Sequence, residues 1–463
     1  MSVAKGEVLK VEIEKLVSGG RGIARVDGLA VFVDRVVPGD EVRVKVVRKK
    51  KNYAEARIVD LIRPSAFRVK APCSYSGTCG GCPWQFIAYE KQLSCKREHI
   101  MDALEHIGRI KGVQVHPPVA SPKQFGYRNK MEFSFSDRRW RPPEELSAGN
   151  IREDFALGLH VPGTFDKVLD IDTCLLQPNL GNSILADVRS YVRKSGIPPY
   201  GLKSHKGFWR FLMLRHSFHY DTWLVNIVTS REERSWVQPL ADTLYEKYQE
   251  VVSIVNNVNT RRAAIALGEY EILLAGEPFI KEKIGRFEFT ISANSFFQTN
   301  TDCARRLYDI VRDYSGLTGR EVVLDLYSGT GTIPIFLSSR AKKVIGIEIS
   351  ENAVRDAQKN CQKNQIENCL FICGDIKAGL KHLQDKPDVI VVDPPRAGMP
   401  PDVIKLIGGL SPSIIIYVSC NPATMARDLA MLKQNYHVLE IQPVDMFPHT
   451  PHIESVARLE LTK

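Results

Sequence analysis

Cys420 follows an unbroken apolar run, Ile414 to Ser419, and is followed at once by Asn421-Pro422. An apolar run of that length reads as a strand buried on both faces of a parallel sheet, and Asn-Pro ends it abruptly. Cysteine is more often a buried packing residue. Here it stands at a strand tip facing a crevice, and Ala423 to Leu432 opens a helix whose N-terminal amides favour a nearby thiolate, so Cys420 is a candidate nucleophile. A nucleophile that must later leave needs a base. Phe447-Pro448-His449-Thr450-Pro451-His452-Ile453-Glu454 offers two histidines and a carboxylate near the last strand. Glu454 is the choice for the base; the alternative is a carboxylate that only caps the turn before Val456 to Leu461.

A second constellation shares the crevice. Asp325-Leu326-Tyr327-Ser328-Gly329-Thr330-Gly331 lies directly after a predicted strand, where glycines let backbone approach a ligand and a helix N-terminus follows. Glu348 ends the next strand, where an acidic residue accepts hydrogen bonds from ribose hydroxyls. Asp375 follows the third strand, placed to meet an adenine edge, and Asp393-Pro394-Pro395-Arg396 closes the fourth. Taken singly, each carboxylate could cap the next helix. Together they would repel a pyrophosphate and suit a nucleoside bearing a cationic sulfonium, which favours S-adenosylmethionine over NAD. Asp-Pro-Pro also serves transfer to exocyclic amines, but there an aromatic residue follows to stack on the base; here Arg396 does. A cysteine beside a methyl donor suits carbon 5 of a pyrimidine. That carbon is a poor nucleophile until a thiolate adds at carbon 6, and a base must then remove the carbon 5 proton.

Ten cysteines in a chain with no export signal at Met1 to Lys10 point to metal or catalysis rather than disulfides. Cys73, Cys79 and Cys82, with Gly80-Gly81 between and Pro83 after, make a compact three-thiolate loop that needs a fourth ligand. An iron-sulfur cluster and zinc are both open on this spacing. Cys95, Cys303, Cys361, Cys369 and Cys373 lie on helical or strand patterns and read as core.

The elements that must hold these residues fall into three units. Val8 to Leu16, Leu29 to Val33, Val42 to Val47 and Ala54 to Leu61 are short β-rich runs between glycine turns and predict a small OB-like β-barrel over 1–63. Residues 64–289 read as a central α+β domain that includes the cysteine loop, a long helix from Trp84 to Ile107 stopped by Gly108, and strands such as Lys130 to Ser136, Phe208 to His216 and Trp223 to Thr229. Residues 139 to 150, with Pro142-Pro143, read as a surface loop. Residues 290–463 alternate strand and helix: Glu321 to Leu326, Lys343 to Glu348, Leu370 to Cys373, Asp388 to Asp393 and Ile414 to Ser419 predict a doubly wound, Rossmann-like sheet. The whole is a multidomain α/β protein.

Net charge is +10 over 463 residues, with a pI near 9.0. Residues 1–65 hold fourteen Lys or Arg against nine Asp or Glu, including Arg48-Lys49-Lys50-Lys51 beside Tyr53. That favours a polyanionic partner. No apolar run exceeds strand length, so a cytoplasmic chain with no membrane association, and a monomer, is expected.

With these residues in view, the sequence resembles the RNA (uracil-5-)-methyltransferase family. The resemblance rests on Phe296-Phe297-Gln298-Thr299-Asn300, the Asp325 to Gly331 loop, Asp393-Pro394-Pro395-Arg396, Ser419-Cys420-Asn421-Pro422 and His452-Ile453-Glu454. It implies that Gln298, Tyr327, Glu348 and Asp393, with Asp375, bind S-adenosylmethionine, that Cys420 is the nucleophile and that Glu454 accepts the proton. The first sixty residues resemble a TRAM domain, an RNA-binding module. The cysteine loop is similar to that of the iron-sulfur branch of the family, which implies Cys174 as the fourth ligand and a [4Fe-4S] cluster. The resemblance further implies structured RNA as substrate, with 23S-type ribosomal RNA first and the T-loop of transfer RNA as the alternative. Tyr127-Arg128-Asn129-Lys130 is a candidate RNA contact. Two rivals remain open: an exocyclic-amine methyltransferase, which needs no Cys420, and an RNA chaperone with a degenerate catalytic domain, which would be expected to lack Cys420 or Glu454.

Overall fold

The computed structural model describes residues 3–141, 145 and 154–462. Of the expected loop at 139–150, residues 142–144 and 146–150 lie outside them. No helix among the described residues is long and apolar enough to cross a membrane.

The N-terminal unit is a six-stranded sheet. Its alternating Val42, Val44 and Val46 point into a core shared with Val31, Val33, Ala54 and Ala56, as a period of two requires. Val8–Glu12 pairs with Glu41–Lys49 at one edge, and Lys15–Leu16 pairs with Gly22–Val26 at the other. One short segment therefore serves both edges, and the sheet curls until they meet. Gly22–Val26 is a strand that the sequence reading passed over; Arg25 interrupts its apolar pattern.

The central sheet has seven strands in the order Val168–Asp170, Ala156–His160, Lys130–Ser136, Trp209–Ser217, Thr222–Thr229, Val251–Val258 and Tyr270–Gly276. The expected long helix begins only at Tyr89 and runs to Ala103. Trp84 instead lies in a turn closed by the Ile87 amide and donates its own amide to His449, while Ile87 forms a bridge with Arg68. At its C-terminal end the helix passes into a π-turn, Leu104–Gly108, and stops at Arg109 in a left-handed conformation rather than at Gly108. Gly108 serves close approach: a Cβ there would lie 2.9 Å from the Ala426 carbonyl oxygen.

The C-terminal sheet carries the crevice. Its strands are β1 (Val322–Leu326), β2 (Lys343–Glu348), β3 (Cys369–Cys373), β4 (Val389–Val392), β5 (Ile414–Ser419), β6 (Tyr436–Val444) and β7 (Glu454–Leu461). They lie in the order β3-β2-β1-β4-β5-β7-β6, with Gln114–Val115 added beside β6. The first five are parallel, and β7 runs antiparallel between β5 and β6. All four residues of β4 and five of the six of β5 are buried, with cores on both faces, which is why neither alternates. Residues 89–115 pack against this sheet's helix Pro422–Leu432 as well as contributing its outermost strand. The hairpin Phe279–Ile284 and Phe287–Ser292 shares a core with β1 and β4.

Candidate active site

Strand register brings the proposed nucleophile and base together. In the β5–β7 ladder Ser419 pairs with Ser455, so the next residues, Cys420 and Glu454, face each other across the strand ends. Val392 pairs with Tyr417 one strand over, which puts Asp393 at the same rim. Cys420 is half-buried and Glu454 is buried. Burial raises the Glu454 carboxyl well above the usual carboxylate range; the neighbouring Asp393 adds to that and Arg396 opposes it.

The Cys420 thiol departs from expectation. Burial pushes it up to about 11, Glu454 and Asp393 push the same way, and Arg396 pulls it down. In the ligand-free site the cysteine is therefore a protonated thiol. The Asn421 side chain caps the helix Pro422–Leu432 by accepting from the Ala423 amide.

The loop after β1 wraps a cleft. Tyr327 adopts φ 67° and Gly329 and Gly331 are also left-handed, a path that turns the chain sharply off the strand. The amides of Tyr327 and Ser328 both reach the Ile347 carbonyl, at 3.1 and 3.2 Å. Glu348 accepts from Gly329 at 2.9 Å and from Ser350 at 2.8 Å, which fixes its carboxylate at the β2 tip. Two adjoining clefts of about 1350 and 1860 Å³ share Phe296, Tyr327, Gly329, Thr330, Asp393 and Pro395. Gln298, Cys420, His452, Glu454 and Arg128 line the first, and Glu348 lines the second.

Several buried polar atoms of the first cleft have no partner: both carboxylate oxygens of Asp325, the Ser328 and Thr299 hydroxyls and Arg128 Nε. Buried polar groups are normally satisfied, so such a set fits a polar ligand. Asp325 is 1% exposed. Burial raises its carboxyl well above the ordinary value, and Asp393 and Glu348 add to that. A buried carboxyl raised by two neighbouring carboxylates fits a cationic ligand, which would relieve the repulsion. The sequence reading placed Asp325 in the loop motif but gave it no role; its position inside an apolar strand was the available signal.

Asp375 caps the helix Ile376–Lys381, accepting from the Lys377 and Ala378 amides at 2.9 and 3.3 Å, and lines neither cleft. Gln298 is held from the central domain: Asn129 Nδ2 donates to its carbonyl at 2.8 Å and the Asn129 amide to Thr299 at 2.9 Å. Arg128 is thereby presented at the wall of the same cleft as Cys420.

Cys73, Cys79, Cys82 and Cys174 line one cavity of about 420 Å³, together with Tyr75 and Gln85. Gln85 accepts from the Cys73 amide and Asn182 from the Cys174 amide, each at 2.9 Å. Burial and the charges of the other cysteines push the Cys82 thiol up to about 12 and that of Cys174 to about 11. Among the described residues, no group of three or more His, Cys, Asp or Glu converges closely enough to hold a single metal ion. Of the cysteines read as core, Cys95, Cys303 and Cys361 are buried. Cys369 is half-buried and Cys373 exposed, because β3 is the edge strand of its sheet.

The family model for tRNA (uracil-5-)-methyltransferases matches residues 240–462, and that for the TRAM domain matches residues 3–59. An uncharacterized RNA methyltransferase of Chlorobaculum tepidum is 40% identical over 98% of this chain and 97% of its own. The chain belongs to the tRNA (uracil-5-)-methyltransferase family. Another member, an uncharacterized RNA methyltransferase of Porphyromonas gingivalis, is 40% identical over 97% of this chain and 99% of its own. Among solved structures, the Pyrococcus abyssi tRNA (uracil-54, C5)-methyltransferase in complex with S-adenosyl-L-homocysteine is 30% identical. It covers 97% of this chain and 100% of its own, with a TM-score of 0.75. The curled N-terminal sheet of this uracil-5-methyltransferase is its TRAM domain.

Proposed function

We propose that this enzyme methylates carbon 5 of a uridine in structured RNA through a covalent adduct on Cys420. The observation that carries the proposal is the β5–β7 register, which sets a half-buried thiol opposite a buried carboxyl at the rim of a polar cleft. S-adenosylmethionine, when bound, supplies an electrophilic methyl group and leaves as S-adenosylhomocysteine. Gln298, Tyr327, Glu348 and Asp393 are assigned to hold it, with Asp375 reserved for the adenine edge. The partnerless Asp325, its carboxyl raised by burial and by Asp393 and Glu348, supports a cationic ligand there. The P. abyssi neighbour, whose complex contains S-adenosyl-L-homocysteine, points the same way.

Cys420 gives up its thiol proton to water and, as thiolate, forms the bond to carbon 6; the ring's π electrons move onto O4, leaving carbon 5 nucleophilic. After methyl transfer, Glu454 takes the carbon 5 proton, the double bond re-forms, and sulfur departs as thiolate. Glu454 suits this role because burial and Asp393 raise its proton affinity. Arg396 lowers the Cys420 thiol's proton affinity and so favours the thiolate that must attack.

The four cysteines around one cavity support a [4Fe-4S] cluster held by Cys73, Cys79, Cys82 and Cys174. The raised thiols of Cys79, Cys82 and Cys174 fit ligands that become thiolates only when a metal centre neutralises them. Such a cluster would fix the loop between the TRAM domain and the helix Tyr89–Ala103.

A target base stacked in RNA must be swung out to reach Cys420. The basic TRAM domain and Arg128 are assigned to grip the RNA, in a cytoplasmic monomer. Ribosomal RNA of the 23S type is the first substrate reading, on the combination of TRAM domain and cysteine loop. The T-loop of transfer RNA is the second, favoured by the P. abyssi neighbour, which acts on uracil 54 of tRNA. The test is tritium release from RNA labelled at uridine carbon 5, using 23S fragments and tRNA transcripts in parallel with S-adenosylmethionine. Release from one class is expected; methylation without tritium release would place the methyl group elsewhere on the base.

A further inference from the structure

The base candidate Glu454 begins β7, and the segment before it, Asp445 to Ile453, is a turn rather than a strand. The residues that fix this turn come from far away in the chain, on one face of the helix Tyr89–Ala103. Tyr89, Gln92 and Lys96 recur at three- and four-residue spacing and so form one stripe. Lys96 and Asp445 are both fully buried and paired at 2.6 Å, and Lys96 also donates to the Phe447 carbonyl at 3.0 Å. The Tyr89 hydroxyl donates to the second Asp445 oxygen at 2.9 Å. Gln92 accepts from the His449 amide at 2.8 Å, and its own amide lies 3.2 Å from His449 Nδ1. His449 is left-handed at φ 67°, and its ring stacks on Phe125 at 4.4 Å. Trp84, two residues beyond Cys82, donates its amide to the His449 carbonyl at 2.9 Å.

A buried ion pair with this many supports is a poor way to gain stability, since desolvation cancels most of the attraction; its attested use is to specify one arrangement. We propose that Gln92 and Lys96 are positioning residues for the base: through the Asp445–His449 turn they set where the Glu454 carboxyl stands relative to carbon 5 of the Cys420 adduct. The proposal rests on the reading of Glu454 as the base. It predicts a defect in one half of the reaction only. Loosening the turn leaves Cys420, which stands on β5, in place, so attack and methyl transfer proceed, while proton removal and release of the RNA slow.

The experiment is single-turnover reaction of full-length enzyme with its RNA substrate, following covalent enzyme–RNA complex and methylated free RNA separately. Glu454→Gln is the reference and should accumulate the methylated complex. Gln92→Ala should accumulate it too, with resolution slowed about ten-fold or more and adduct formation within about three-fold of the parent enzyme. Phe125→Ala, which frees the His449 ring from the opposite side, gives a second reading should Gln92→Ala fail to fold. If Glu454→Gln accumulates complex while both other variants resolve it at the parent rate, the positioning role falls and the function stands. The role falls equally if they lose formation and resolution in the same proportion, or if neither folds, since either marks a purely structural contribution. If Glu454→Gln itself accumulates nothing, the assignment of the base falls first and this inference with it.

Discussion

Asp393 offers a test in which a change inside the cleft should stabilise the protein. Burial raises its carboxyl from 3.8 to about 6. Below pH 4 both folded and unfolded chains hold the proton. Between about 4 and 6 the unfolded chain has released it while the folded chain keeps it, so stability falls as pH climbs and the loss is complete above about 6. For a fully enclosed group the difference is worth about 3 kcal/mol. Asp393 is only half-buried at the lip of the cleft, so solvent screening reduces this to about 1–2 kcal/mol. Asparagine mimics the neutral acid at every pH. Asp393→Asn, free of ligand, should therefore match the parent protein near pH 4 and exceed it by about 1–2 kcal/mol at pH 7.5. Urea unfolding followed by tryptophan fluorescence across pH 4 to 8 measures both curves. Parallel curves over the whole range would show that the Asp393 carboxyl is not raised, and the electrostatic account of the cleft would fail with it.

Three further outcomes follow from particular contacts. Lys96→Met strands Asp445 as an unpaired buried charge and should cost about 3–5 kcal/mol in urea unfolding, whereas adding Asp445→Leu should restore much of the loss. Gly331→Ala forces a Cβ to 2.8 Å from the Phe371 ring at φ +76°, so calorimetric titration with S-adenosylhomocysteine should show weakened binding while the TRAM domain is unaffected. Cys174→Ala should lower the iron and sulfide content of anaerobically purified protein from about four of each per chain. An unchanged content would remove Cys174 from the ligand set.

Much of the catalytic domain was legible because a doubly wound sheet leaves strong local signals. Apolar runs marked its parallel strands to within a residue or so, and chemistry-bearing residues stood at their carboxyl ends. What could not be read was whatever depends on contacts across hundreds of residues. Nothing local told that Trp84 would leave the helical pattern to bond His449, or that Lys96 would be buried against Asp445. Asp375 carries both readings at once: its position after a strand is equally that of a helix cap, and it does cap the helix Ile376–Lys381. The following helix suggests a lowered Cys420 thiol, but burial and the nearby carboxylates Glu454 and Asp393 dominate.

The claim on which everything else depends is that Cys420 bonds to the pyrimidine. RNA in which the target uridine is replaced by 5-fluorouridine blocks the last step, because fluorine cannot be removed as a proton is, so the adduct persists. Mass spectrometry of the trapped, digested complex should place the fluorinated, methylated nucleotide on the peptide containing Cys420, and Cys420→Ala should trap nothing. A nucleotide on any other residue, or a Cys420→Ala enzyme that still methylates carbon 5, would contradict the account.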